Sequence, residues 1–198
     1  PITPWPTMDK AVMMAEFDRM NTAELKRDDL LACARRSEVD RDFTPNVNGF
    51  SVGLSSGTSG QRGLFVVSPR EQQIWAGGML AKMLPDGLRA GERVALFLRA
   101  DNNLYHSVDN RWLSLSFYDL FAPFSGHFPR LEAWSPSIIV APAQVLRELA
   151  LAVLRGELHV SVKKVISVAE VLEPQDKQLL QQVFGQVGEV YQATEGFL

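Results

Sequence analysis

Residues 136–168, PSIIVAPAQVLRELALAVLRGELHVSVKKVISV, alternate between two kinds of apolar pattern, and that alternation decides the fold. PSIIVAP (136–142) is a short apolar run with β-branched residues at its centre, the composition of a buried strand. AQVLRELALAVLRG (143–156) then repeats apolar residues at helical spacing and closes on glycine. VKKVISV (162–168) predicts a second strand and EPQDKQLLQQVFG (173–185) a second helix, with Pro174 at its first position. GEVYQA (188–193) predicts a third strand. Strands separated by helices pair in parallel through crossover connections, so the class is α/β with a mostly parallel sheet. In such sheets ligands gather at the carboxyl ends of the strands, where the loops lie.

Upstream, RVALFL (93–98) and RWLSLSFYDLF (111–121) also read as strands. LFVV (64–67) is a shorter β-favouring run. SPRE (68–71) follows it with an N-cap serine, a proline at the first helical position and a glutamate at the third. That helix is predicted to run through AKML (81–84) and to end at Pro85-Asp86-Gly87. The first quarter differs. MDKAVMMAEFDRM (8–20) has helical spacing, Asn21 and Glu24 form a candidate capping box for a second helix, and VDRDFTPNVNG (39–49) reads as loop. The expected organisation is a helical segment over residues 1–45 packed on an α/β core over residues 46–198.

The 198 residues carry 46% hydrophobic and 22% charged side chains, ordinary for a soluble globular chain with a real core. A formal net charge of −3 gives no basic surface for nucleic acid. No apolar run approaches the roughly 20 residues needed to span a bilayer. The single cysteine, Cys33, excludes an internal disulfide framework and suits a reducing cytoplasm. PITPWPTMDK (1–10) lacks an initiator Met and a signal-peptide pattern, and YQATEGFL (191–198) stops straight after a strand-like run, so a trimmed chain is expected.

Two glycine-containing motifs compete for attention. GLSSGTSGQRG (53–63) is either a Gly/Ser linker or a loop whose backbone N–H groups and hydroxyls hold an anion, with Arg62 offering a planar fork to phosphate oxygens. It lacks the lysine of a Walker loop. GFSVG (49–53) matches the nucleophile elbow around Ser51, but that motif requires a strand before the serine and a helix after it, and neither is predicted here. His106, His127 and His159 have no metal-ligand spacing. Trp112, Phe117, Tyr118, Phe121 and Phe124 read as core or pocket wall. In EVYQATEGF (189–197), Tyr191 offers a face for stacking, Thr194 a hydroxyl and Glu195 a hard oxygen ligand for Mg²⁺.

Together, SSGTSG (55–60) and YQATE (191–195) resemble the adenylate-forming enzyme superfamily of acyl- and aryl-CoA synthetases. SVAEVLEP (167–174) stands where that family has its gly-glu-x-leu turn. DKAVMMAEFDRMNT (9–22) is similar to the entry of the phenylacetate–CoA ligase branch, and within it to adenylate-forming proteins related to synthetases that adenylylate a deazaflavin coenzyme. The resemblance implies that the chain is part of the large N-terminal domain of such an enzyme.

The site residues follow from that resemblance. It implies that Ser55, Ser56, Gly57, Thr58, Ser59 and Gly60 close over the β- and γ-phosphates of ATP, with Arg62 in place of the family's lysine. Ala169, Glu170 and Val171 would lie against the adenine, with Tyr191 on its other side and Gln192 beside the base where the family has glycine. Thr194 would contact the α-phosphate and Glu195 would bind Mg²⁺. The implied reaction is attack of an aryl or acyl carboxylate on the α-phosphorus of ATP, giving an acyl-adenylate and pyrophosphate, with coenzyme A as a candidate second substrate. A hydroxylated deazaflavin acceptor and a non-catalytic relative used for binding or assembly are the alternatives. The family's ribose-binding Asp, hinge and small carboxyl-terminal domain have no counterpart before Leu198, so the chain alone is expected to turn over little. An isolated part of a domain is also a candidate homo-oligomer through exposed apolar surface.

Overall fold

The computed structural model describes residues 8–42, 44–55, 62–84, 87, 91–101, 103–106 and 109–190. They divide into two compact units, one up to Glu71 and one from Gln72 onward.

The first unit packs short helices on an antiparallel hairpin. Helix α1 (Lys10–Ala15) opens where the Asp9 carboxylate accepts from Val12 N–H at 2.8 Å. The apolar spacing over 8–20 predicts one continuous helix, but the chain breaks at Glu16 and restarts as α2 (Phe17–Met20). The capping box predicted at Asn21 does not open a helix either. Asn21 Nδ2 donates to the carbonyls of Phe17 and Leu25, and Oδ1 accepts from Leu25 N–H, so the side chain closes a turn around itself. Glu24 takes a left-handed φ of 55° within that turn, which keeps it from the reciprocal capping bond. Helix α3 (Arg27–Asp40) therefore starts later, where Asp18 accepts from Arg27 N–H at 2.8 Å.

The segment read as loop contains strand β1 (Asn46–Val47), which pairs antiparallel with β2 (Phe50–Leu54). The connection is Asn48-Gly49, with φ of 52° and 86°, the dipeptide and dihedral signs of a tight hairpin turn. Strand β3 (Leu64–Val67) pairs antiparallel with β2 and sets Gly53 opposite Phe65. A Cβ at Gly53 would stand 2.2 Å from the Phe65 ring, so the ring fills the space a side chain would need. Leu25, Leu30, Ala34, Val52 and Leu64 form the core of this unit, with Met14 and Phe17 packed against it.

Helix α4 (Pro69–Met83) opens with the predicted capping box: Ser68 N–H donates to Glu71 Oε2 at 2.8 Å and Glu71 N–H to Ser68 Oγ at 3.3 Å. In the second unit β4 (Glu92–Leu98), α5 (Asn103–His106) and β5 (Leu113–Asp119) come next. A single 3₁₀ turn and α6 (Phe128–Trp134) lead to β6 (Ile138–Pro142), α7 (Ala143–Leu154), β7 (Lys164–Val168), α8 (Pro174–Phe184) and β8 (Gln186–Glu189). The strands form one sheet in the order β5-β4-β6-β7-β8, with every neighbouring pair parallel. This is the α/β class expected from the sequence.

Leu146, Leu149 and Ala150 of α7 and Leu180 of α8 pack with Ile139, Ala141 and Val165 of the sheet, all fully buried. Burial of each leucine contributes about 2 kcal/mol. The order of strands turns back between β4 and β6, because β5 is added on one side of β4 and β6 on the other. Such a reversal opens a crevice at the carboxyl edge of a parallel sheet. Among the described residues no helix is long and apolar enough to cross a membrane.

Candidate functional site

In sequence the serine- and glycine-rich segment lies between β2 and β3, and the described residues that flank it, Ser55 and Gly63, meet. Ser55 N–H donates to Gly63 O at 2.8 Å, and Gly63 N–H donates to Ser55 Oγ at 2.8 Å. These two bonds hold both ends of the segment together, which a linker between domains would not need. Arg62 Nε donates to Ser55 O at 2.8 Å, while its two terminal nitrogens pair with both carboxylate oxygens of Glu38. The fork that the sequence offers to phosphate is thus engaged by a carboxylate on α3. The hydrogen bonds that Arg62 donates to Glu38 raise its pKa above the ordinary value against the cost of burial, and Coulombic attraction to Glu38 adds to the rise. Ser56, Gly57, Thr58, Ser59 and Gly60 lie outside the described residues.

Ser51 of the elbow-like motif lies within β2, is 2% exposed and is in register with Asn46 and Val67. A serine in the middle of an antiparallel strand cannot be presented as on a strand-to-helix elbow.

The second candidate segment is the turn after β7. Ala169 adopts a left-handed φ of 64°, and Glu170 N–H folds back onto Val168 O at 2.8 Å. Val171 is 80% exposed, while Leu172 returns into the core. Thus Ala169, Glu170 and Val171 come together at the carboxyl end of the sheet. The Glu170 carboxylate accepts from Gln144 N–H at 3.1 Å, at the first turn of α7. Strand β8 runs parallel beside β7, and Val190 N–H donates to Ser167 O at 3.0 Å, so the chain reaches residue 190 at the same edge. Adjacent strands lie about 4.8 Å apart. The buried Ser167 hydroxyl just beneath the turn has no hydrogen-bond partner among the described residues. Tyr191, Gln192, Thr194 and Glu195 lie outside the described residues. Ser55 and Arg62 belong to the unit that ends at Glu71, and the Ala169–Val171 turn to the unit that begins at Gln72.

Polar groups also lie after β4 and after β5, among them His106 and His127, for which the sequence gives no metal-ligand spacing. His106 Nε2 lies 2.6 Å from Asp101 Oδ2, whose side chain is nearly buried. Between them Tyr105 packs edge-on against Trp75, and its pKa is pushed up to about 12, first by burial and then by the negative charge of Asp101. His127 is buried, with Nε2 2.9 Å from Asp119 O and its ring edge-on to Phe97 and Tyr118. The aromatic segment divides: Tyr118 stacks on Phe97 in the core, whereas Phe121 is mostly exposed under the Arg99 guanidinium. Asp101 and His106 lie in ADNNLYH (100–106), where no apolar period or spacing rule singles them out.

No family model matches this chain, and no curated protein does. Solved structures do. A 2-hydroxyisobutyryl-CoA ligase in an open conformation, in complex with 2-HIB-AMP and CoA, superposes with a TM-score of 0.60 at 15% identity, over 82% of this chain and 41% of that one. The same ligase in its thioesterification state gives 0.61 at 16% identity, over 82% and 38%. An acyl-CoA synthetase (AMP-forming)/AMP-acid ligase II-like protein from Dyadobacter fermentans gives 0.55 at 14% identity, over 98% and 48%. The chain spans less than half the length of each of these structures. At such identities the likeness is one of fold: the chain shares the architecture of part of these solved structures.

Proposed function

We propose that this chain supplies nucleotide-binding elements of an ATP-dependent adenylate-forming ligase. The observation that carries the reading is the shared edge of β7 and β8. The Ala169–Val171 turn leaves β7, and in sequence the YQATE segment begins two residues after Glu189, the last residue of β8. Two segments that resemble the adenine turn and the Thr-Glu segment of one family thereby start from adjacent parallel strands. The bonds between Ser55 and Gly63 support the same reading, because the described residues on either side of the SSGTSG run are held to each other.

In this reading an acyl or aryl carboxylate attacks the α-phosphorus of ATP. The new O–P bond forms as the bond to pyrophosphate breaks, and the product is an acyl-adenylate. Negative charge grows on the leaving pyrophosphate and on the α-phosphoryl oxygens, so hydroxyls and backbone N–H groups of residues 55–60 would stabilise it. Thr194 would donate to the α-phosphate, Glu195 would hold Mg²⁺, and Tyr191 would stack on the base. Beyond that, alignment of the acceptor is the main requirement. Coenzyme A would be the acceptor in a following thioester-forming step.

The test is titration of the chain with a fluorescent ATP analogue and Mg²⁺. Saturable binding that ATP and AMP displace, and that weakens at least about tenfold in the Thr194→Ala, Glu195→Ala double variant, is the expected result. Absence of saturable binding overturns the reading.

A further inference from the structure

We propose that Glu170 is a positioning residue, which sets the nucleotide-facing turn by anchoring it to the N-terminus of α7; this rests on the nucleotide reading above. Helix α7 has no cap of its own. Its N-cap is Pro142, which offers no side-chain acceptor, and its first turn holds no acidic residue. The N-terminal N–H groups of a helix need acceptors and favour negative charge. Here the acceptor comes from 26 residues away, as the Glu170 carboxylate meets Gln144 N–H at 3.1 Å.

The same bond also serves the turn. Ala169 sits in the left-handed region, which a residue with a Cβ occupies only when its surroundings impose it. On one side of the turn the strand ends at Val168; on the other, Leu172 is fixed in the core. Between them the Glu170 tether is the polar bond that ties the turn to a rigid element. It leaves the Val171 side chain free in solvent as the apolar surface available to a flat ligand. A carboxylate engaged with a helix N-terminus acts on the ligand through backbone placement, which differs from the direct adenine contact that the resemblance implies for this residue.

Three variants separate these roles. Glu170→Gln keeps an acceptor oxygen at the same reach, Glu170→Asp keeps the charge but shortens the reach, and Glu170→Ala loses both. AMP affinity by calorimetry and thermal unfolding are read for each. If Glu170 positions the turn, the Gln variant stays within about threefold of the parent, while the Asp and Ala variants weaken AMP about tenfold. A loss in Gln equal to that in Ala, or AMP binding unchanged in all three, overturns the inference and leaves the nucleotide reading standing. A lower unfolding temperature without a change in AMP affinity likewise reduces Glu170 to a helix cap. A parent chain that fails to bind AMP removes the nucleotide reading itself, and this inference with it.

Discussion

Arg62 clasps Glu38 and Ser55 together: both terminal guanidinium nitrogens meet the Glu38 carboxylate, one at 2.6 Å, while Nε donates to Ser55 O at 2.8 Å. A planar fork makes three bonds here that a lysine could not reproduce. Both side chains are partly exposed, so water weakens the pair. Arg62→Lys and Glu38→Gln should each lower stability by about 0.5–1 kcal/mol, and the double variant should lose less than the sum. A denaturant double-mutant cycle reads this. Strict additivity would show that the clasp contributes nothing.

At the amino-terminal edge of the parallel sheet, Glu92 is held between strands. Its side chain is 1% exposed and accepts from Lys163 Nζ at 2.9 Å and from the Ser137 hydroxyl. Lys163 is half exposed, so the two partners are not equivalent. Removing the lysine strands a buried carboxylate, whereas replacing the glutamate returns the lysine to water. Lys163→Met should therefore cost about 2–3 kcal/mol, and the Glu92→Gln, Lys163→Met double variant should recover part of that loss. Equal stability of the single and double Lys163 variants in urea unfolding would count against the asymmetry.

Alkaline pH should probe the environment of Tyr105. Its folded pKa, about 12, lies above the ordinary value of 10.0, because burial and the Asp101 charge disfavour the phenolate. A raised folded pKa contributes stability that is fully present below the unfolded pKa and disappears as pH climbs through the folded one. Stability should thus hold up to about pH 10 and fall between about pH 10 and pH 12. Tyr118 shifts in the same direction through burial, opposed by its hydrogen bond to Ser116 and the charge of Arg130. Phenolate absorbance during a pH titration should show late ionisation, and Tyr105→Phe should flatten the alkaline loss. An unchanged alkaline limb in that variant would refute the assignment.

The parallel sheet was legible because its strands are continuous apolar runs, and Ile138–Pro142 and Lys164–Val168 fall within the stretches that predict them. Helix α4 was legible because Ser68 and Glu71 satisfy each other locally. The helical first quarter is less legible. Asn21 and Glu24 have capping spacing, yet Asn21 finds its acceptors and donor in Phe17 and Leu25. The Asn48-Gly49 turn carried a recognised hairpin signal, hidden because β1 before it is only two residues long. In the candidate site, the position of the turn at 169–171 follows from the strand before it. The bond from Gln144 to Glu170 does not, since nothing local links residues 26 apart. The Thr194 and Glu195 expectations fall outside the described residues.

The contact between Gly53 and the Phe65 ring ties two distant codons into one choice. A side chain gained at the first position requires the Phe65 ring to move aside or be replaced by a smaller one, and a smaller residue at 65 leaves a hollow above the glycine. Change in these two strands is therefore felt in pairs, and a substitution at one of the two positions should be tolerated best alongside one at the other.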